Sequence, residues 1–277
     1  NVRVTVNPNA TFNVFGVGAT PNPTTNFGNG NHANNFVMMN SSVDGGDWNV
    51  VFRGNGGPFP AGTGSGWTMN NHFINNTFTG ADDYALYTDD QDGLQVFGNT
   101  ISGLRTSSTF TGYGIAAFDA MNFKIIANYV TVPYTGIYVT NANSAATGTR
   151  IGFSEVSNNM VSCNVNSGIW LQRPNNVNIW YNSVYCGSTQ NLDAALYLDD
   201  GFGTPAIDSL DVRNNALYGA GKAFKIDEPD SVFTKFDNNS FYTLGTDLLD
   251  IDAAIYADLV TYQTAQPAYN AASLDGD

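Results

Sequence analysis

Three pairs of neighbouring acids invite a chemical reading: Asp89-Asp90, Asp199-Asp200 and Asp227-Glu228. Carboxylates backed by main-chain carbonyls can hold Ca²⁺. A pair held about 5 to 9 Å apart can hydrolyse a glycosidic bond. Acids of this kind also simply make turns, because Asp bonds its own backbone. The residue types leave all three uses open. Two residues before the pairs stand Tyr87, Tyr197 and Lys225, and the same place in related phrases holds Ala116, Tyr138 and Trp170. Flat rings repeated along one surface can stack on sugar rings. Aromatics also suit strands for their own sake. Tyr87, Tyr138, Trp170 and Tyr197 are therefore the candidate glycan-binding residues, expected to face solvent on one sheet.

The elements that must carry these residues repeat. The phrases Ala85-Leu86-Tyr87, Gly114-Ile115-Ala116, Gly136-Ile137-Tyr138, Gly168-Ile169-Trp170, Ala195-Leu196-Tyr197 and Ala223-Phe224-Lys225 share one pattern: small, apolar, variable. A small residue there permits close backbone approach. Between these phrases an asparagine recurs at Asn76, Asn99, Asn128, Asn159, Asn182, Asn215 and Asn239, at intervals of 23 to 33 residues. An apolar residue lies three before each (Phe73, Val96, Ile125, Val156, Ile179, Val212, Phe236) and another two after (Phe78, Ile101, Val130, Val161, Val184, Leu217, Phe241). Alternation of this sort marks strands with one buried face. A period in this range is that of a solenoid with one coil per repeat. With at least two strands per coil and no helix-period segment between them, like strands must stack into parallel sheets.

Bulk composition narrows the partners. Only 12% of residues are charged, and the formal net charge is −14. The usual charged share is about a quarter, so amides and hydroxyls supply the polarity. Stacked amides bond where stacked charges would repel. The ten cationic side chains are scattered, which excludes phosphate-driven nucleic-acid binding and docking on an anionic membrane. No apolar run is long enough to insert across a bilayer. The chain contains no phosphate-cradling glycine loop, no Gly-x-Ser-x-Gly turn and no His-Glu-x-x-His. Starting at Asn1 without a signal peptide, it is expected to be a mature product or a piece of something longer.

At this point the chain resembles the right-handed parallel β-helix proteins of the pectate-lyase-like superfamily. The resemblance implies an all-β solenoid of about 8–9 coils with an Asn ladder, secreted or at the cell surface. It covers residues 36–245, with a strand-and-loop cap over 1–35 and a helix-bearing cap over 246–277. In that cap, Ile255, Leu259 and Tyr262 recur at helical spacing, with Asp252 as the expected N-cap. The tail resembles the ends of β-helix units in large surface proteins of Bacteroidetes-type bacteria. Lyases of the superfamily combine Ca²⁺-binding acids with an Arg or Lys base, a role that would fall to Arg173 or Lys225. The hydrolase signatures are missing: Asn99-Thr100 is followed by Ile101 rather than Asp, and neither Gly-His-Gly nor Arg-Ile-Lys occurs. The leading expectation is a non-catalytic stalk or adhesin that takes glycan on the aromatic face. A Ca²⁺-assisted polysaccharide lyase and a module that only packs against neighbouring domains of a longer chain are the alternatives.

Cys163 and Cys186 each lie four residues after a ladder asparagine, at one inward position of successive coils. Parallel neighbours about 4.8 Å apart fall within the Cα range of a disulfide. A bridge and a pair of small buried thiols are both compatible with that spacing.

Overall fold

The computed structural model describes residues 2–6, 15–18, 33–54, 67–105, 112–143, 152–201 and 207–276. The chain winds through three parallel sheets, and each coil contributes one strand to each. Sheet I runs from Val37–Met39 to Phe233–Asp237, and sheet II from Arg3–Thr5 to Leu274–Asp275. Sheet III runs from Phe15–Gly18 to Ala254–Tyr256. Sheet I has eight strands, so eight coils carry all three. The asparagine phrase is thus two strands, one in sheet I and one in sheet II, joined by a tight corner.

The three apolar columns become the three walls of one core. Phe73, Val96 and Ile125 lie in register in sheet I, as do Phe78, Ile101 and Val130 in sheet II and Leu86, Ile115 and Ile137 in sheet III. All nine are fully buried. Each such side chain contributes about 1.5–3 kcal/mol by leaving water, which is what holds the coils in register.

The corner between sheets I and II is a single left-handed residue followed by the ladder asparagine. Asn75, Gly98, Ala127, Asn158, Tyr181, Asn214 and Asn238 take that conformation, with φ between 53° and 66°. The asparagines behind them form one continuous ladder. Oδ1 of Asn159 accepts from the backbone N–H and the Nδ2 of Asn128, both at 3.0 Å. Its Nδ2 donates to Asn182 Oδ1 at 3.0 Å and to the Ile125 carbonyl at 2.9 Å. The same pattern continues to Asn239, whose N–H donates to Ser273 Oγ at 2.9 Å. Every polar group of the buried amide is satisfied, as burial requires.

The C-terminal cap departs from the sequence expectation in three details. The terminal helix is shorter, Leu259–Ala265, and its N-cap is Asp258, whose Oδ1 accepts from the Thr261 N–H at 2.7 Å. Asp252 instead joins Ala253 in a left-handed turn linking the antiparallel strands Leu249–Ile251 and Ala254–Tyr256. Ile255 is consequently exposed, while Leu259 and Tyr262 are buried as expected. Cys163 and Cys186 are registered neighbours, both buried and both free thiols, one of the two arrangements their spacing allows. The Gly54–Gly66 loop, apart from Gly54, and His32 lie outside the described residues.

Candidate functional site

The outer face of sheet III gathers the aromatics read from the sequence, together with others. Trp48 stacks on Tyr87 at 4.7 Å, Tyr87 meets Phe118 at 5.1 Å, and Phe118 meets Tyr138 at 5.4 Å. Tyr138 then meets Trp170 at 4.5 Å, and Trp170 stacks on Tyr197 at 5.7 Å. Lys225 Nζ closes the line 4.2 Å above the Tyr197 ring. Phe118 fills the gap left by Ala116. A second line, Tyr84–Tyr113–Tyr134, runs beside the first.

These rings therefore do not stand open to solvent as expected. Tyr197 is only 8% exposed, and Tyr87, Tyr138 and Trp170 are half-buried. The cause is mutual packing, since the rings lie stacked, tilted or edge-on against one another. Burial pushes the phenols of Tyr84 and Tyr138 up to about 12, helped in turn by Asp83 and Asp199. Tyr87 and Tyr197 are also raised by burial, and Tyr197 further by its bond to Asp227.

The acids do converge at the end of this sheet. Carboxylate oxygens of Asp89, Asp90 and Asp119 lie within 4.8 Å of one another, as do those of Asp199, Asp200 and Asp227. Glu228 stays outside both trios, with its carboxyl raised by burial and then by Asp200, Asp252 and Asp227. Asp119 lies between Phe118 and Ala120 and belongs to no acid pair, so the pairing of neighbouring acids does not single it out. Asp90 and Asp119 hold left-handed turn positions, with φ of 54° and 50°, so they also serve as turn formers.

Most of these carboxylates are already engaged. Asp89 pairs with Arg53 at 3.0 Å, although burial still raises its carboxyl. Asp199 Oδ2 accepts from Trp170 Nε1 and Gln172 Nε2, both at 3.1 Å, and its Oδ1 accepts from the Gly201 N–H at 2.7 Å. Asp227 accepts from the Tyr197 hydroxyl at 2.6 Å and from Lys225. A Ca²⁺ ion seeks six to eight oxygens. Around Asp199 and Asp227 it would first have to displace N–H, O–H and ammonium donors, so this donor set fits it poorly.

Of the two cations named for a lyase, the Lys225 amine is held and Arg173 is only partly buried. Lys225 is 6% exposed and lies between Asp227 and the Tyr197 ring. The Arg173 backbone takes a left-handed turn, with φ 51°, and its N–H donates to the Asp199 carbonyl at 2.6 Å. Its Nε is buried without a hydrogen-bond partner among the described residues.

Sheet II presents a different face, missed in the sequence. Tyr185 stacks on Tyr218 at 4.9 Å and Tyr218 on Tyr242 at 4.8 Å. Tyr129, Met160 and Tyr185 are exposed. Together they flank an open trough of about 420 Å³. The signal was legible, since all three stacked tyrosines lie three residues after a ladder asparagine.

The sequence profile of the right-handed beta helix region matches residues 63–241, well over half of the chain. The chain belongs to the right-handed β-helix family. No significant match occurs among curated proteins or solved structures. For a right-handed β-helix, the architecture does not name a chemistry, because function on a common fold resides in the site. In this β-helix the acids and rings of sheet III brace one another, and the open aromatic surface lies on sheet II.

Proposed function

We propose that this β-helix is a rigid, non-catalytic module of a secreted or cell-surface bacterial protein, acting as a stalk or adhesin. The observation that carries the reading is the state of Lys225. The amine a lyase would use as base is buried against the Tyr197 ring and paired with Asp227. A base must reach the proton it abstracts, and this one is spent on structure. The unbroken Asn ladder supports the mechanical half of the reading, because it ties every coil from Asn76 to Asn239 to its neighbours. A surface rich in amides and hydroxyls suits an exported protein that meets neutral glycans.

One observation favours a second reading, the Ca²⁺-assisted lyase: Asp199, Asp200 and Asp227 approach one another closely. The two readings separate in one assay. The protein is incubated with a panel of polysaccharides, with and without Ca²⁺, and unsaturated products are sought by ultraviolet absorbance. The stalk or adhesin reading expects no product under any condition. Product that requires Ca²⁺ and disappears in Lys225→Ala or Arg173→Ala would replace it with the lyase.

A further inference from the structure

We infer that the trough on the outer face of sheet II is a binding site for a neutral polysaccharide chain. The inference rests on the adhesin reading and gives it a location. The trough spans five successive strands, from Tyr129–Val132 to Ser240–Thr243. Four steps of about 4.8 Å make it roughly 19 Å long, a length that suits an extended ligand.

Its shape follows from two outward columns. One holds Tyr129 and Met160, then Ser183, Ala216 and Ser240; the other holds Thr131 and Ser162, then Tyr185, Tyr218 and Tyr242. Bulk and smallness change sides between the second and third coils. A channel with a floor of hydroxyls therefore crosses the sheet between two apolar walls. The tyrosine stack ends at Tyr185, whose neighbour in the preceding coil is Ser162 rather than a ring. One face of Tyr185 is thus left uncovered, consistent with its 41% exposure.

The occupant's chemistry follows from what the lining offers. None of the residues around the trough is charged, in a protein of net charge −14. An anionic chain would be repelled by the molecule's field, and a cationic one would find no carboxylate. A peptide strand needs a free sheet edge for its main chain, whereas the N–H and C=O groups here are already paired between registered strands. A neutral sugar chain satisfies each constraint. Its C–H faces pack on an open ring, and its hydroxyls bond to Thr131, Ser162 and Ser183.

The test is affinity electrophoresis in gels containing a soluble β-glucan, a mannan, a xylan or polygalacturonate. Retardation is expected in at least one neutral gel and not in polygalacturonate. Tyr185→Ala should weaken it about tenfold, as loss of one aromatic contact does. Tyr185→Phe should retain it, and Trp170→Ala should leave it unchanged. An unaltered melting curve for Tyr185→Ala, whose side chain is exposed, excludes misfolding. If Trp170→Ala abolishes retardation while Tyr185→Ala and Tyr129→Ala do not, the trough proposal falls and the adhesin reading survives. Retardation by no neutral polysaccharide would sink the proposal and the adhesin reading together. Sedimentation showing a dimer that Tyr185→Ala dissolves would overturn it by making the trough an interface between copies.

Discussion

Asn159 makes four side-chain hydrogen bonds, two accepted and two donated. Asn76, at the start of the ladder, makes three, because its Oδ1 accepts only from the Ser41 N–H. Truncating Asn159 strands the N–H of Asn128 and the carbonyl of Ile125 away from water. Each buried group left unpaired costs about 1–3 kcal/mol. Asn159→Ala should therefore lower stability by roughly 2–4 kcal/mol in urea unfolding, and Asn76→Ala by less. Equal losses at the two positions would mean that the ladder merely decorates the core. The raised phenols give a second residue-scale prediction. Tyr84 and Tyr138 stay protonated to about pH 12 in the fold, whereas unfolded tyrosines ionise near pH 10. Between those values the native state binds more protons, so stability falls as pH rises. Melting temperature measured from pH 9 upward should be level below about pH 10 and then decline towards pH 12.

At the scale of the element, the corner and the small-residue column set the limits on sequence. Ala127 occupies a left-handed corner where its neighbours along the stack are Gly98 and Asn158. An L-residue with a Cβ is strained there, and the exposed Ala127 has no side-chain hydrogen bond to offset it. Ala127→Gly should raise stability by up to about 1 kcal/mol, read as a later urea midpoint. The opposite change fails elsewhere. A Cβ on Gly136 would collide with Val161 Cγ1 and lie 2.6 Å from the Gly168 carbonyl oxygen. Gly136→Ala should cost about 1–3 kcal/mol. Elements of this kind were largely legible, because burial on one face imposes a strict alternation and a buried turn imposes asparagine. The functional surface was less so. Tyr87, Tyr138, Trp170 and Tyr197 were correctly placed in one column of one sheet. Their exposure was not readable, because Phe118, Trp48 and Tyr84 come from other positions in the repeat and cover Tyr87 and Tyr138 only once the coils stack, while Trp170 and Tyr197 cover each other. The helix start was missed for a similar reason: Asp252 and Asp258 are both plausible caps in sequence, and the antiparallel pairing of 249–251 with 254–256 decides between them.

At the scale of the whole molecule, the rings of sheet III close on one another while Tyr129 and Tyr185 of sheet II stay open. A continuous core and one amide ladder run the length of a rod of stacked coils, and the aromatic spine of sheet III with its paired acids lines one side of it. Sheet II is left with an open, uncharged trough along the rod. At the edge of sheet III, Asp89, Asp199, Asp227 and Lys225 are each paired with a neighbouring side chain. The most direct measurement is to mix the protein with neutral and acidic polysaccharides in the presence of Ca²⁺ and follow ultraviolet absorbance and retention on the same samples. The account predicts retention by a neutral polysaccharide with flat absorbance. Rising absorbance that vanishes in Lys225→Ala would contradict it and return sheet III to the centre of the molecule's chemistry.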